Sequence, residues 1–168
     1  MPLHRFFCSL ASITFFNKII TLTLIIMQLI HFYNADKKAT VKNRKNLKFF
    51  LTALLKTEGA RELVDLSYIF CSDNYLLEIN RKFLQHDFYT DIVTFDLSSD
   101  KTTLTGEIYI SIDRVKENSK NLGTLFQEEL HRVIFHGALH LCGFKDKTRQ
   151  QKVIMRNKEE QNLNAYFK

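Results

Sequence analysis

One proline and five glycines punctuate the whole of the 168-residue chain. So little turn chemistry argues against long loops and leaves a mixed α and β fold as the simplest expectation. The three cysteines, Cys8, Cys71 and Cys142, are odd in number, widely spaced and form no CxxC pair. That pattern argues against a disulfide framework and suits a reducing cytoplasm. Acidic residues are missing from positions 1–26, where Arg5 and Lys18 are the only Lys or Arg. One further absence bears on chemistry. His136 and His140 stand four apart, but the residue after the first is Gly137, where a zinc peptidase of similar spacing carries glutamate.

What is present is an ordinary globular composition: 45% hydrophobic residues, 25% charged, with fifteen phenylalanines. The length suits one domain with a real core. The formal net charge of +6 is modest and dispersed. It permits a polyanionic partner without demanding one.

Residues 1–26 carry a basic start and an apolar run, as a signal peptide does, but Asn17-Lys18 splits the run and no A-x-A cleavage signal follows. The apolar stretch from Ile19 to Tyr33 includes Gln28 and His31 and is shorter than the roughly 20 residues of a membrane span. The expectation is a spurious or dispensable N-terminal extension, with the domain occupying 27–168 and no stable membrane association.

Beyond it, LIHFY (29–33) reads as a strand. In the stretch 37–59, Leu47, Phe50, Leu51, Leu54 and Leu55 step by three and four, which predicts an amphipathic helix with Gly59 as its stop. Residues 61–71 predict a second strand, and Ser72 or Asp73 caps a short helix after it. TDIVTFDL (90–97) and TGEIYISI (105–112) predict a hairpin. A short polar helix over RVKENSKNL comes next. Thr124 with Gln127 reads as a capping box for a longer helix running to Gly143, and Thr148 with Gln151 as another for the last one. The expected fold class is α+β: a single domain with a mixed sheet of about four strands, four to five helices, and a metal site on a helix-turn.

The run H-x3-H-x2-G-x2-D over 136–146 gives each member a geometric task. Two imidazoles four apart share one helix face. Gly143 accepts the left-handed conformation that ends a helix, and Asp146 follows within reach of the same ion. Two His and one carboxylate leave a fourth tetrahedral position for water, the layout of a catalytic zinc. Peptidases of comparable spacing use the missing glutamate as general base, and glycine cannot take a proton.

HGALHLCGF closely resembles the HGxLHLxGY signature of the YbeY family of bacterial rRNA maturation factors and single-strand-specific endoribonucleases. YTDIVTFD (89–96) is similar to the family's P-T-D-V-L-S-F-P segment and TGEIYIS (105–111) to its G-D-I-x-I segment. EELHRVIFHG carries His131 in the family's E-x-x-H-x-x-x-H-G pattern, and the likeness spans roughly residues 27–165. The resemblance implies a zinc-dependent hydrolase of RNA. It would be cytoplasmic, hold one Zn2+ per chain, and have small-subunit (16S) ribosomal RNA and the small ribosomal subunit as partners in rRNA maturation and ribosome quality control.

By position, the family's first two ligands fall on His136 and His140, and its third, a histidine, on Asp146. Aspartate is a legitimate zinc ligand. An alignment shifted by one would offer Lys147, and a protonated lysine cannot ligate. A second departure is Leu84, where the family usually has an arginine facing RNA phosphate. Arg81, Lys82 and His86 are candidate substitutes.

Other residues have plainer readings. His131 points roughly 140° away from His136 on an ideal helix, which suits a packing or supporting residue better than a ligand. Cys142 reads as a buried thiol. Asp91 and Thr94 suit either a cleft wall or a strand start. The basic run Lys37, Lys38, Lys42, Arg44, Lys45 and Lys48 suits a solvated face or an RNA-backbone contact. The competing functions are a metallopeptidase-like hydrolase, disfavoured by Gly137, and a non-catalytic ribosome-associated binding module, motivated by Leu84 and Asp146.

Overall fold

A computed structural model describes residues 29–59, 63–100 and 102–168. The expected extension over 1–26, with Cys8, lies outside these residues, as do Arg61 and Glu62 at the expected start of the second strand. In chain order the elements are β1 (Ile30–Asn34), α1 (Arg44–Gly59), β2 (Leu63–Cys71), α2 (Asp73–Ile79), a π-helical turn (Asn80–Leu84), β3 (Ile92–Asp96), β4 (Thr103–Ser111), α3 (Ile112–Leu122), α4 (Phe126–Leu141) and α5 (Arg149–Phe167).

Among the described residues these form one four-stranded mixed sheet of order β1-β2-β4-β3 and five α-helices, as the fold-class reading expects. β1 and β4 each run parallel to β2. β3 and β4 form the expected antiparallel pair. Side chains alternate across the strands, and Leu66, Tyr68, Phe70, Leu104, Ile108 and Ile110 point into the main core. There they meet the stripe of α1 (Leu47, Leu51, Leu54, Leu55) and the buried face of α4 (Leu130, Ile134, Phe135, Ala138, Leu139). A smaller cluster of Cys71, Leu76, Ile79 and Val93 forms a separate core.

α4 lies at the centre, packed on β3 and β4 and flanked by α1, α3 and α5. The Tyr68 hydroxyl donates to the Ile134 carbonyl at 3.3 Å and ties the helix to the sheet. No helix among the described residues is long and apolar enough to cross a membrane.

Ser72 caps α2, its side chain accepting from the Tyr75 amide, and the Thr148/Gln151 capping box opens α5 with both reciprocal bonds formed. One local expectation is corrected. The Thr124/Gln127 capping box does not form. Leu125 is the N-cap of α4, Thr124 Oγ1 is buried without a partner, and the Gln127 side chain donates instead to the Thr40 carbonyl at 3.0 Å. The Thr124 amide, which a capping box would give to the Gln127 side chain, is instead donated to the Ser119 carbonyl at 2.9 Å. α1 ends at Gly59, as expected, and the left-handed glycines among the described residues are Gly123 and Gly143.

Candidate metal centre

The C-terminal end of α4 builds the site. Gly143, at φ 93°, closes the helix. Its amide donates to the His140 carbonyl at 2.9 Å, and the Phe144 amide donates to the Leu139 carbonyl at 3.1 Å. This reciprocal pair is a Schellman closure, which satisfies the orphan carbonyls and reverses the chain. The reversal returns Asp146 to the helix face that carries His136 and His140.

The two imidazoles have centroids 4.4 Å apart and are nearly perpendicular, at 86°. His136 Nε2 lies 3.9 Å from Asp146 Oδ2. One ligand atom from each of His136, His140 and Asp146 lies within 4.8 Å of the others. The structure therefore brings together all three residues singled out in the sequence, in an arrangement that can hold a metal ion.

The far ring nitrogens are occupied. His136 Nδ1 is 2.8 Å from Glu159 Oε1. His140 Nδ1 donates to the Phe144 carbonyl at 2.9 Å. Hydrogen bonding at Nδ1 fixes each ring and leaves Nε2 for an ion. Glu159 is itself buried and held from behind by Arg132, whose Nη1 lies 3.9 Å from Glu159 Oε2. Arg132 is also buried, with Glu129 at 3.1 Å and Glu160 at 2.6 Å. Glu159 and Arg132 were not singled out from the sequence. A carboxylate 23 residues from His136 has no local pattern to mark it.

These surroundings shift the titrations. Burial pulls His136 down, but the Glu159 hydrogen bond and the charges of Glu159, Asp91 and Asp146 outweigh it and hold His136 above the ordinary histidine value. Burial and the neighbouring His136 hold His140 below it. The donor set of two oriented imidazoles and one carboxylate fits a borderline ion such as zinc better than hard cations that prefer all-oxygen cages.

Gly137 has a structural reason. A Cβ there would meet Ile108 Cγ2 at 2.7 Å and Ile92 Cδ1 at 2.8 Å. α4 sits so close to β3 and β4 that any side chain here would force Ile108 and Ile92 to shift. Packing therefore works against a glutamate, a peptidase's base, at this helix position.

A cleft of about 390 Å³ opens beside His140, with Leu84, His86, Thr94, Asp96 and Lys147 among its lining. Thr94 is thus on the cleft wall, its Oγ1 buried and unpartnered. Asp91 accepts from the Asn118 side chain at 3.4 Å and contributes its charge to His136. Buried Asn80 pins the loop below the cleft, donating to the Phe88 carbonyl at 3.1 Å and to Thr90 Oγ1 at 3.0 Å. His131 is buried away from the ligand cluster, its Nδ1 2.5 Å from the Gln127 carbonyl and its ring stacked on Tyr166. Cys142 packs against the main core and is not among the clustered ligands.

A family model described as Endoribonuclease YbeY matches residues 30–167. The chain belongs to the YbeY family. A Cytophaga hutchinsonii protein named Endoribonuclease YbeY is 47% identical over 134 residues, covering 80% of this chain and 93% of its own. A Christiangramia forsetii protein of the same name is 54% identical over 99 residues, 59% of this chain and 68% of its own. A Thermotoga maritima protein solved in solution superposes with a TM-score of 0.59 at 30% identity, covering 82% of this chain and 89% of that one. The YbeY resemblance seen in HGALHLCGF thus extends over nearly all the described residues.

Proposed function

We propose that this chain, an endoribonuclease by family, is a zinc-dependent, single-strand-specific enzyme of small-subunit ribosomal RNA maturation, working in the cytoplasm. The observation that carries the zinc reading is the convergence of His136, His140 and Asp146, with both imidazoles oriented from behind. These three residues would hold the ion, and residues 27–168 would be the functional domain. When bound, zinc supplies Lewis acidity toward a phosphoryl oxygen and an acidified water.

The protein's own groups do the rest. Glu159 and the Phe144 carbonyl keep the two rings in one tautomer, so no reorganisation is needed at the site. Asp146 contributes negative charge next to His136, where a neutral histidine would contribute none. The cleft beside His140 admits a flexible, unpaired strand, and its buried, unpartnered Thr94 hydroxyl contributes polarity to the wall. Single-stranded RNA is the RNA form whose backbone can bend into such a cleft.

The test is cleavage of a labelled single-stranded RNA by the full chain, with zinc and with a chelator, beside His140→Ala. Zinc-dependent cutting that is lost in the variant supports the reading. Equal cutting by His140→Ala would sink it.

A further inference from the structure

Lys147 lines the cleft beside His140, and among the described lining residues it is the only lysine or arginine. Leu84, on the same lining, brings no charge. The nearby candidates named from the sequence are engaged elsewhere. Arg81 is paired with Asp87 at 2.7 Å and Glu78 at 2.8 Å. Lys82 sits over the Phe83 ring at 5.1 Å. His86 lines the cleft but stacks on Phe88, with ring centroids 4.9 Å apart.

Lys147 also begins a second feature. A shallow groove of about 790 Å³ is lined by Lys147, Arg149, Lys152, Val153, Arg156 and Asn157. Arg149, Lys152 and Arg156 are spaced three and four apart on α5, so they share one solvent-facing stripe about two turns long. Among the described residues no carboxylate pairs with Lys147, Arg149 or Lys152, while Arg156 is partly shared with Glu159 at 3.5 Å and Glu160 at 3.6 Å. The groove and the cleft meet at Lys147. A line of cations leading directly out of a catalytic cleft is complementary to a chain of phosphates.

We propose that the RNA backbone leaves the metal cleft over Lys147 and runs along the α5 stripe of Arg149, Lys152 and Arg156. This rests on the endoribonuclease reading above and adds the path of the substrate and the residue that stands in for a cation at Leu84. Lys147 takes the phosphate next to the site, and the stripe holds the flanking phosphates. The basic run on and before α1 is the rival location for the same contact.

The test compares the full-length, zinc-loaded protein with two variants of equal charge: Lys147→Gln/Arg149→Gln/Lys152→Gln, and a control, Lys42→Gln/Lys45→Gln/Lys116→Gln. All six residues are exposed, so each variant should fold like the parent. KM and kcat on a labelled single-stranded RNA are followed across a salt series. Each single-strand phosphate contact contributes about 0.7 to the slope of log affinity against log salt, so the stripe variant should lose about 2 from that slope, with KM raised roughly tenfold to a hundredfold at low salt. The control should follow wild type in both slope and KM.

If wild type cuts RNA but the stripe variant behaves like the control, the backbone path is wrong and the nuclease reading stands. The path is equally overturned if the control loses as much slope as the stripe variant. Failure of the wild type to bind or cut single-stranded RNA would overturn both the path and the function beneath it.

Discussion

Glu159 Oε1 stands 2.8 Å from His136 Nδ1, although 23 residues separate them and they lie on different helices. The contact makes α5 part of the metal centre. It depends on the turn at Gly143, on the capping box that opens α5, and on Arg132 balancing a buried carboxylate.

Replacing that carboxylate should weaken the metal without removing a ligand. Glu159→Gln keeps the size and loses the charge, and outer partners of metal histidines are worth about 10- to 100-fold in affinity. Zinc affinity measured by competition with a chromophoric chelator should fall within that range. An unchanged affinity would show that the Glu159 contact does not support the ion.

Asp146 should tolerate histidine but not alanine. Asp146→His restores an imidazole at a position within reach of the other two and should retain zinc. Asp146→Ala leaves two ligands and should lose at least the roughly tenfold that a supporting residue is worth. Metal content after dialysis against a defined zinc buffer distinguishes the two. Equal retention by both would remove Asp146 from the ligand set.

Gly137→Ala should destabilise the protein strongly for a single methyl group. The new Cβ would press on Ile108 and Ile92 at under 3 Å, where α4 contacts the sheet. Overpacking of this kind costs about 1–3 kcal/mol. Urea unfolding should show a lower midpoint. Gly137→Glu should be worse, and it should not create peptidase activity.

His131 should make the fold sensitive to acid. Burial holds its pKa below the ordinary 6.5, and the imidazole is neutral inside the protein. A base with a depressed folded pKa binds fewer protons than in the unfolded chain. Its stabilisation is therefore complete above the unfolded value and falls as pH drops below about 6.5, by no more than about 1.4 kcal/mol per pH unit for one group. Between neutral and mildly acidic pH the unfolding midpoint of wild type should fall relative to that of His131→Phe. A constant gap between them would exclude His131 as the source.

The two threonines read as caps should separate cleanly. Thr148→Ala removes a formed capping box and should cost about 1 kcal/mol, within the range for helix N-caps. Thr124→Ala removes a hydroxyl that makes no hydrogen bond and should cost less. Thermal unfolding of both variants checks the order.

Much of this protein was determined by local sequence. The stripe of α1, the alternation in β2 and β4, and the spacing of His136, His140, Gly143 and Asp146 are all short-range, and periodicity or a turn residue sets each of them. The three clustered residues were legible because eleven consecutive residues hold all of them on one helix end and its turn. The failed cap at Thr124 shows where local rules stop: its amide is taken by the Ser119 carbonyl, and the Gln127 side chain is drawn to Thr40, far away in the chain.

Tertiary structure alone decided the rest. Only the packing of α5 on α4 brings Glu159 to His136, and only the close approach of α4 to Ile108 and Ile92 explains why glycine suits position 137. Only the fold places Lys147 at the junction of the cleft and the α5 groove. The physical reason is common to all three. Periodicity and turn residues act over a few positions, whereas charge pairing, exclusion of a side chain and the meeting of two grooves depend on distances between elements that the sequence does not bring near one another.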